Sequence, residues 1–111
     1  MQIQTNTDRN ITGSEALAAL ANTIFEGALA RFSDRITRVE IHLSDENGAR
    51  GGIEDKRCMV EARLEGRQPI AVTDRAPTVE QAMAGAADKL KRAIESTLGR
   101  LRDDEARTDT R

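Results

Sequence analysis

The stretch RVEIHL at residues 38–43 alternates strictly between polar and apolar side chains. The stretch CMVEARL at residues 58–64 has the same alternation, and PIAVT at residues 69–73 repeats it more weakly. Successive side chains of a β-strand point to opposite faces of a sheet. The three stretches therefore predict three strands of one sheet, with an apolar face turned to a core and a polar face open to solvent.

Helical patterns lie on both sides of these strands. Apolar residues recur at intervals of three and four over residues 14–31, which predicts a first helix with Ser14 as its N-cap. The same spacing persists from Val79 to Leu101 and predicts a second helix with Thr78 as its N-cap. The short stretch QIQT at residues 2–5 predicts a further strand before the first helix.

The predicted order of elements is β-α-β-β-β-α. Two strands that flank a helix are parallel, with a right-handed crossover, and the later strands form an antiparallel meander. We therefore expect an α+β fold over residues 1–102: a two-layer domain with a four-stranded mixed sheet and both helices on one face. Residues 44–54 predict a long, mobile hairpin loop, and residues 103–111 predict a disordered polar tail.

Composition narrows the classes of function. The chain has 111 residues, a net charge of -2 and a pI of about 5.5, which argues against a strongly basic nucleic-acid binder. Without Trp or Tyr, stacking of bases on exposed aromatic side chains is not expected. A single cysteine excludes an internal disulfide, and the chain shows neither a signal segment nor a membrane span. A cytoplasmic protein is expected.

Two segments in this layout carry a resemblance. DRITRVE at residues 34–40, entering the second strand, and ADKLKRAI at residues 87–94, in the last helix, resemble the ribosome hibernation-promoting factor and ribosome-associated translation inhibitor family. The resemblance covers about residues 1–102 and is to a short form without a C-terminal dimerisation domain. It implies a stress-response protein that binds the small ribosomal subunit and its rRNA near the decoding region, blocks mRNA and tRNA, and inhibits translation.

Contact with RNA phosphate requires several Lys or Arg side chains on one surface, because each neutralised phosphate releases counterions. The strand alternation puts Arg38 and Arg63 on the open face, and Arg57 joins them if its strand starts regularly. Lys89 and Arg92 lie three residues apart in the helical segment that resembles the family. The candidate RNA-binding residues are Arg38, Arg57, Arg63, Lys89, Lys91 and Arg92.

These helix charges also have an ordinary interpretation. Asp88 and Arg92, and likewise Lys91 and Glu95, are spaced as ion pairs on a solvated helix face. A second hypothesis is therefore a small protein-interaction domain that uses the open face or the free edge of the fourth strand, with a weak homodimer as one form. A continuous basic stripe would favour RNA, and interleaved signs would favour a protein partner.

Enzymatic and metal chemistry are not expected. His42 falls on the polar phase of its strand, without a second His or Cys nearby, so it predicts an exposed residue rather than a metal ligand. Cys58 shares the phase of Val60 and Leu64, which predicts a buried thiol rather than a nucleophile activated by its basic neighbours. No set of nucleophile, base and orienting group is present, so we expect no catalysis, no cofactor and no small-molecule substrate.

Overall fold

A computed structural model describes residues 1–46 and 56–109, with side chains for 1–46 and 56–100. Its elements are β1 (Gln2–Thr7), α1 (Ser14–Leu29) with a 3-10 turn (Ala30–Phe32), β2 (Ile36–Asp45), β3 (Lys56–Leu64), β4 (Ile70–Ala76) and α2 (Val79–Asp109). The strands form one sheet in the order β1-β2-β3-β4, with β1 parallel to β2 and the other pairs antiparallel. The predicted α+β architecture is confirmed.

The alternation of the strands decides where the core lies. Val39, Ile41 and Leu43 of β2 pair in register with alternate residues of β3, and all of these side chains are at most 2% exposed. Both helices cover this face, contributing Phe25, Leu29, Met83, Leu90 and Ile94 to the core. Burial of each such side chain contributes about 1.5–3 kcal/mol, so this single apolar layer is the main source of stability.

The two helix starts differ from one another. Thr78 caps α2 as predicted, because its hydroxyl oxygen accepts the backbone N–H of Gln81 at 3.1 Å. The prediction of Ser14 as the cap of α1 is wrong: Ser14 is the first helical residue, and Gly13 precedes it with φ of 71°. Glycine adopts this left-handed conformation without the steric penalty that a Cβ would bring, so backbone geometry rather than a side-chain hydroxyl begins this helix.

The end of α2 also corrects the prediction. The sequence predicts a helix ending near Arg102 and a disordered tail over 103–111, whereas the helix continues to Asp109. The apolar spacing stops at Leu101, but residues 103–109 contain neither Gly nor Pro, and Asp, Glu, Ala and Arg all tolerate a helix. Residues 110–111, and residues 47–55 with most of the predicted hairpin loop, lie outside the described part of the chain.

Gly85 marks the closest approach between α2 and the sheet. A Cβ built on Gly85 would lie 1.8 Å from Oδ2 of Asp74 in β4, so the Asp74 carboxylate rests directly on the helix backbone. Lys89, one turn later, holds that carboxylate from the other side, with Nζ 2.9 Å from Oδ1. The helix accepts a residue that is unfavourable in its interior because only glycine leaves room for this contact.

We therefore expect Gly85→Ala and Gly99→Ala to act in opposite directions. Gly99 lies in the same helix with nothing within 4 Å of a built Cβ, so alanine there should raise the free energy of unfolding by up to about 1 kcal/mol. Alanine at 85 should lower it, because the Asp74 carboxylate must turn away from Lys89. Urea denaturation measures both. Adding Asp74→Ala to Gly85→Ala should recover stability; equal gains at both glycines would contradict this packing.

Candidate nucleic-acid interface

The sheet face opposite the helices, called the open face from here on, carries its side chains in four rows that run across the strands. The strand register fixes these rows as Gln2, Arg38 and Arg63; Gln4, Glu40, Glu61 and Ala71; Asn6, His42, Met59 and Thr73; and Ser44, Arg57 and Arg75. The first row thus contains two arginines and the second row two glutamates. The third row has no Lys, Arg, Asp or Glu, and the fourth row contains two arginines again.

Arg38 and Arg63 lie on the open face, as predicted, and are direct cross-strand partners. Each is paired with a glutamate two residues away on its own strand. Arg38 Nη2 lies 2.8 Å from Glu40 Oε1, and Arg63 Nε lies 3.5 Å from Glu61 Oε1. The alternation that brings these arginines to one surface therefore also brings the neutralising carboxylates to it.

Arg57 shares the open face with Met59, as expected for a regularly formed strand, and lies opposite Arg75 of β4. Glu46 serves both arginines: its carboxylate is 3.6 Å from Arg57 Nε and 2.5 Å from Arg75 Nη1. Sequence reasoning missed Arg75, because the weak alternation of residues 69–73 ended before it. The alternation continues beyond residue 73 and puts Arg75 on the same face as Thr73, which is the signal that could have found it.

The three candidates on α2 do not join this surface. Lys89 turns towards β4, where Nζ donates a 2.9 Å hydrogen bond to the carbonyl of Thr73 and pairs with Asp74. Arg92 is paired with Asp88 on its own helix. Lys91 is two residues from Lys89 and points about 200° away around the helix axis. The six predicted residues thus divide between the open face and the helical layer.

His42 and Cys58 are the other two residues that the sequence analysis considered for chemistry. His42 is partly exposed on the open face, with Nε2 3.8 Å from Glu40 Oε2. Cys58 is fully buried; burial raises the pKa of its thiol from 9.0 to about 12, the Asp74 carboxylate adds to the rise, and Arg57 opposes it. Within the described ranges, no group of His, Cys, Asp and Glu could hold a metal ion. No helix in that part of the chain is long and apolar enough to span a membrane.

The open face does not form a continuous basic stripe. Its four arginines, Arg38, Arg57, Arg63 and Arg75, all have carboxylate partners within the described residues. On the sequence alone, interleaved positive and negative charges are a sign of a protein partner. The charges of the open face therefore favour a protein partner for that face. Any RNA contact that depends on unneutralised charge must therefore use another part of the surface.

Comparison with known proteins gives one family. The model of the family described as sigma 54 modulation protein / S30EA ribosomal protein matches residues 4–102. Comparison with curated protein sequences gives no match.

Two solved structures share the fold. The N-terminal domain of Thermus thermophilus Protein Y has a TM-score of 0.70 and 17% identity, covering 87% of this chain and 99% of its own. A ribosomal subunit interface protein from Coxiella burnetii has a TM-score of 0.70 and 19% identity, covering 89% of this chain and 99% of its own. These similarities support the β-α-β-β-β-α arrangement described above.

The Cys58 thiol should be inert in the folded protein. Labelling by a thiol reagent at about pH 8 should be slow until denaturant exposes the side chain, because the folded pKa of about 12 leaves almost no thiolate. The unfolded thiol ionises from about pH 9, so the free energy of unfolding should fall between pH 9 and 12, by at most about 1.4 kcal/mol per pH unit.

The Cys58→Ala variant is the control, since it removes this contribution and keeps the Lys and Arg groups that also titrate at high pH. The difference between wild type and variant isolates the thiol. Labelling of the folded wild type as fast as that of the denatured chain would contradict a buried thiol.

Proposed function

Because this chain belongs to the sigma 54 modulation protein / S30EA ribosomal protein family, which includes the ribosome hibernation-promoting factors, we propose that it binds the small ribosomal subunit and inhibits translation. It acts near the decoding region, in the space that mRNA and tRNA occupy during translation. Its site of action is the cytoplasm, where the ribosome is found. Its partners are the small subunit and its rRNA.

The family match is the observation that carries this proposal. It extends over residues 4–102 and so includes nearly the whole sheet, α1 and most of α2, rather than one short motif. The Coxiella burnetii structure is that of a ribosomal subunit interface protein, and the Thermus thermophilus structure is that of the Protein Y N-terminal domain. Their likeness to this chain is one of fold, and it agrees with the family match.

Inhibition by occupancy suits the chemistry of the described residues. The only cysteine is buried with a raised thiol pKa, and the only histidine, His42, lies 3.8 Å from the Glu40 carboxylate. A rigid two-layer domain that fills a binding channel needs no reaction to block it. The chain would silence the ribosome for as long as it remains bound.

The second candidate, a protein-interaction domain, draws on the interleaved charges of the open face. Alternating rows of arginine and glutamate can match a partner with the opposite order, and charge complementarity of this kind mainly sets specificity and association rate. A second copy of the chain is one such partner. Light scattering that shows a concentration-dependent dimer, together with no binding to ribosomal subunits, would favour this candidate.

We expect the chain to sediment with purified bacterial small subunits at low salt and to be released as salt rises. The logarithm of the binding constant should fall with the logarithm of the salt concentration by about 0.7–0.9 per phosphate contact. Most Lys and Arg side chains in the described part of the chain are paired with carboxylates. The slope of this log–log plot should therefore be shallow, about -2 to -4. Failure to sediment with small subunits at about 50 mM salt would contradict ribosome binding.

Occupancy is tested by competition. Small subunits preloaded with mRNA and initiator tRNA should bind the chain much less than empty subunits, since the two cannot share one space. Binding to loaded and empty subunits with equal affinity would refute the occupancy mechanism while leaving ribosome binding itself intact.

A further inference from the structure

Lys and Arg side chains without a carboxylate partner are better ligands for RNA phosphate than those that already form an ion pair. An arginine that already contacts a carboxylate must give up that contact to bind phosphate, and the carboxylate left behind then repels the RNA. An arginine without such a partner contributes its full counterion release. Within the described residues, the cations without a carboxylate partner are Arg9, Arg35, Arg67, Lys91 and Arg100.

Two of these five come together at one end of the sheet. The backbone N–H of Glu65 donates to the carbonyl of Arg35 at 3.0 Å, and the N–H of Arg67 donates to the carbonyl of Leu64 at 3.1 Å. The segment entering β2 and the tight turn between β3 and β4 therefore lie side by side. Both arginines are exposed there, and we call this region the turn end.

Helix α2 brings a third arginine towards the turn end. It runs back along β4, where Lys89 contacts Thr73, and reaches the 3-10 turn, where Glu95 lies 3.8 Å from Arg31. Arg100 follows Lys89 by eleven residues, or three turns, so it lies on the same flank of the helix about 16 Å further along. Among the residues whose side chains are described, its guanidinium contacts the hydroxyl of Ser96, at 3.1 Å.

We propose that the turn end is the surface that contacts rRNA, with Arg35 and Arg67 binding the phosphate backbone and Arg100 extending the contact along α2. This inference rests on the proposed function and assigns it a surface that includes none of the six candidate residues named from the sequence. Asp34 and Glu65 are also exposed at the turn end and equal Arg35 and Arg67 in number, so Arg100 supplies the net positive charge and the contact is limited to a few phosphates.

The ligand is the RNA backbone rather than its bases. The chain has no Trp or Tyr, and Phe32, the aromatic residue nearest the turn end, is 8% exposed beneath Arg31. Arginine contacts to phosphate position a protein on RNA without reading its sequence. Placement on one particular region of the subunit must then come from the shape of the rRNA and from the open face.

The test compares two pairs of substitutions in the full chain, using purified small subunits as the probe. Arg35→Gln with Arg67→Gln removes both anchors of the turn end. Arg9→Gln with Arg75→Gln removes the same charge at the opposite end, where Arg9 follows β1 and Arg75 pairs with Glu46. All four side chains are exposed, and equal thermal unfolding temperatures would show that both variants fold.

The Arg35/Arg67 variant should bind small subunits at least tenfold more weakly, with a salt slope shallower by about 1.4–1.8, as expected for two lost phosphate contacts. The Arg9/Arg75 variant should keep its affinity within about twofold and its slope unchanged, since neither arginine lies at the turn end. If wild type binds and the two variants weaken equally, or the Arg9/Arg75 variant weakens more, the turn end is refuted and ribosome binding stands. If wild type itself does not bind at low salt, both proposals fail.

Discussion

Burial of alternate side chains of β2 and β3 beneath α1 and α2 is the constraint on which the other features depend. Val39, Ile41 and Leu43 can reach the helices only if the residues between them point the opposite way. The polar groups of both strands are therefore gathered on the open face, and cations stand two residues from carboxylates on the same strand. The interleaved charges of that face follow from the core pattern together with the presence of Arg and Glu at the intervening positions.

The sequence was sufficient for whatever depends on local periodicity. The strand alternation predicted the sheet, the buried Cys58 and the outward Arg38 and Arg63, because side-chain direction in a strand follows from position alone. It could not predict that Glu46 serves both Arg57 and Arg75, since that contact depends on the register of three strands. The end of α2 was missed because apolar spacing reports packing, whereas a helix can continue on propensity alone.

Lys89 shows what the structure adds to a candidate residue that comes from a family-like segment. Its position in the helical segment that resembles the family predicts an RNA contact, and this stays a prediction. In the structure its ammonium group binds Asp74 and the Thr73 carbonyl beside Gly85. These two contacts connect α2 to β4. Exposed ion pairs are worth only about 0–1 kcal/mol, so RNA can displace some of them, but the carboxylate that remains still opposes phosphate. Arg35 and Arg67 at the turn end form no ion pair within the described residues, so no such contact has to break there, although Asp34 and Glu65 lie nearby.

The most direct measurement is a cryo-electron microscopy reconstruction of the chain bound to the small ribosomal subunit. We expect rRNA phosphates against the turn end, around Arg35 and Arg67. Lys89 should still contact Asp74, and the paired arginines of the open face should lie away from the RNA backbone. A reconstruction in which Arg38, Arg57 and Arg63 lie against rRNA phosphates, while the turn end faces solvent, would contradict this expectation.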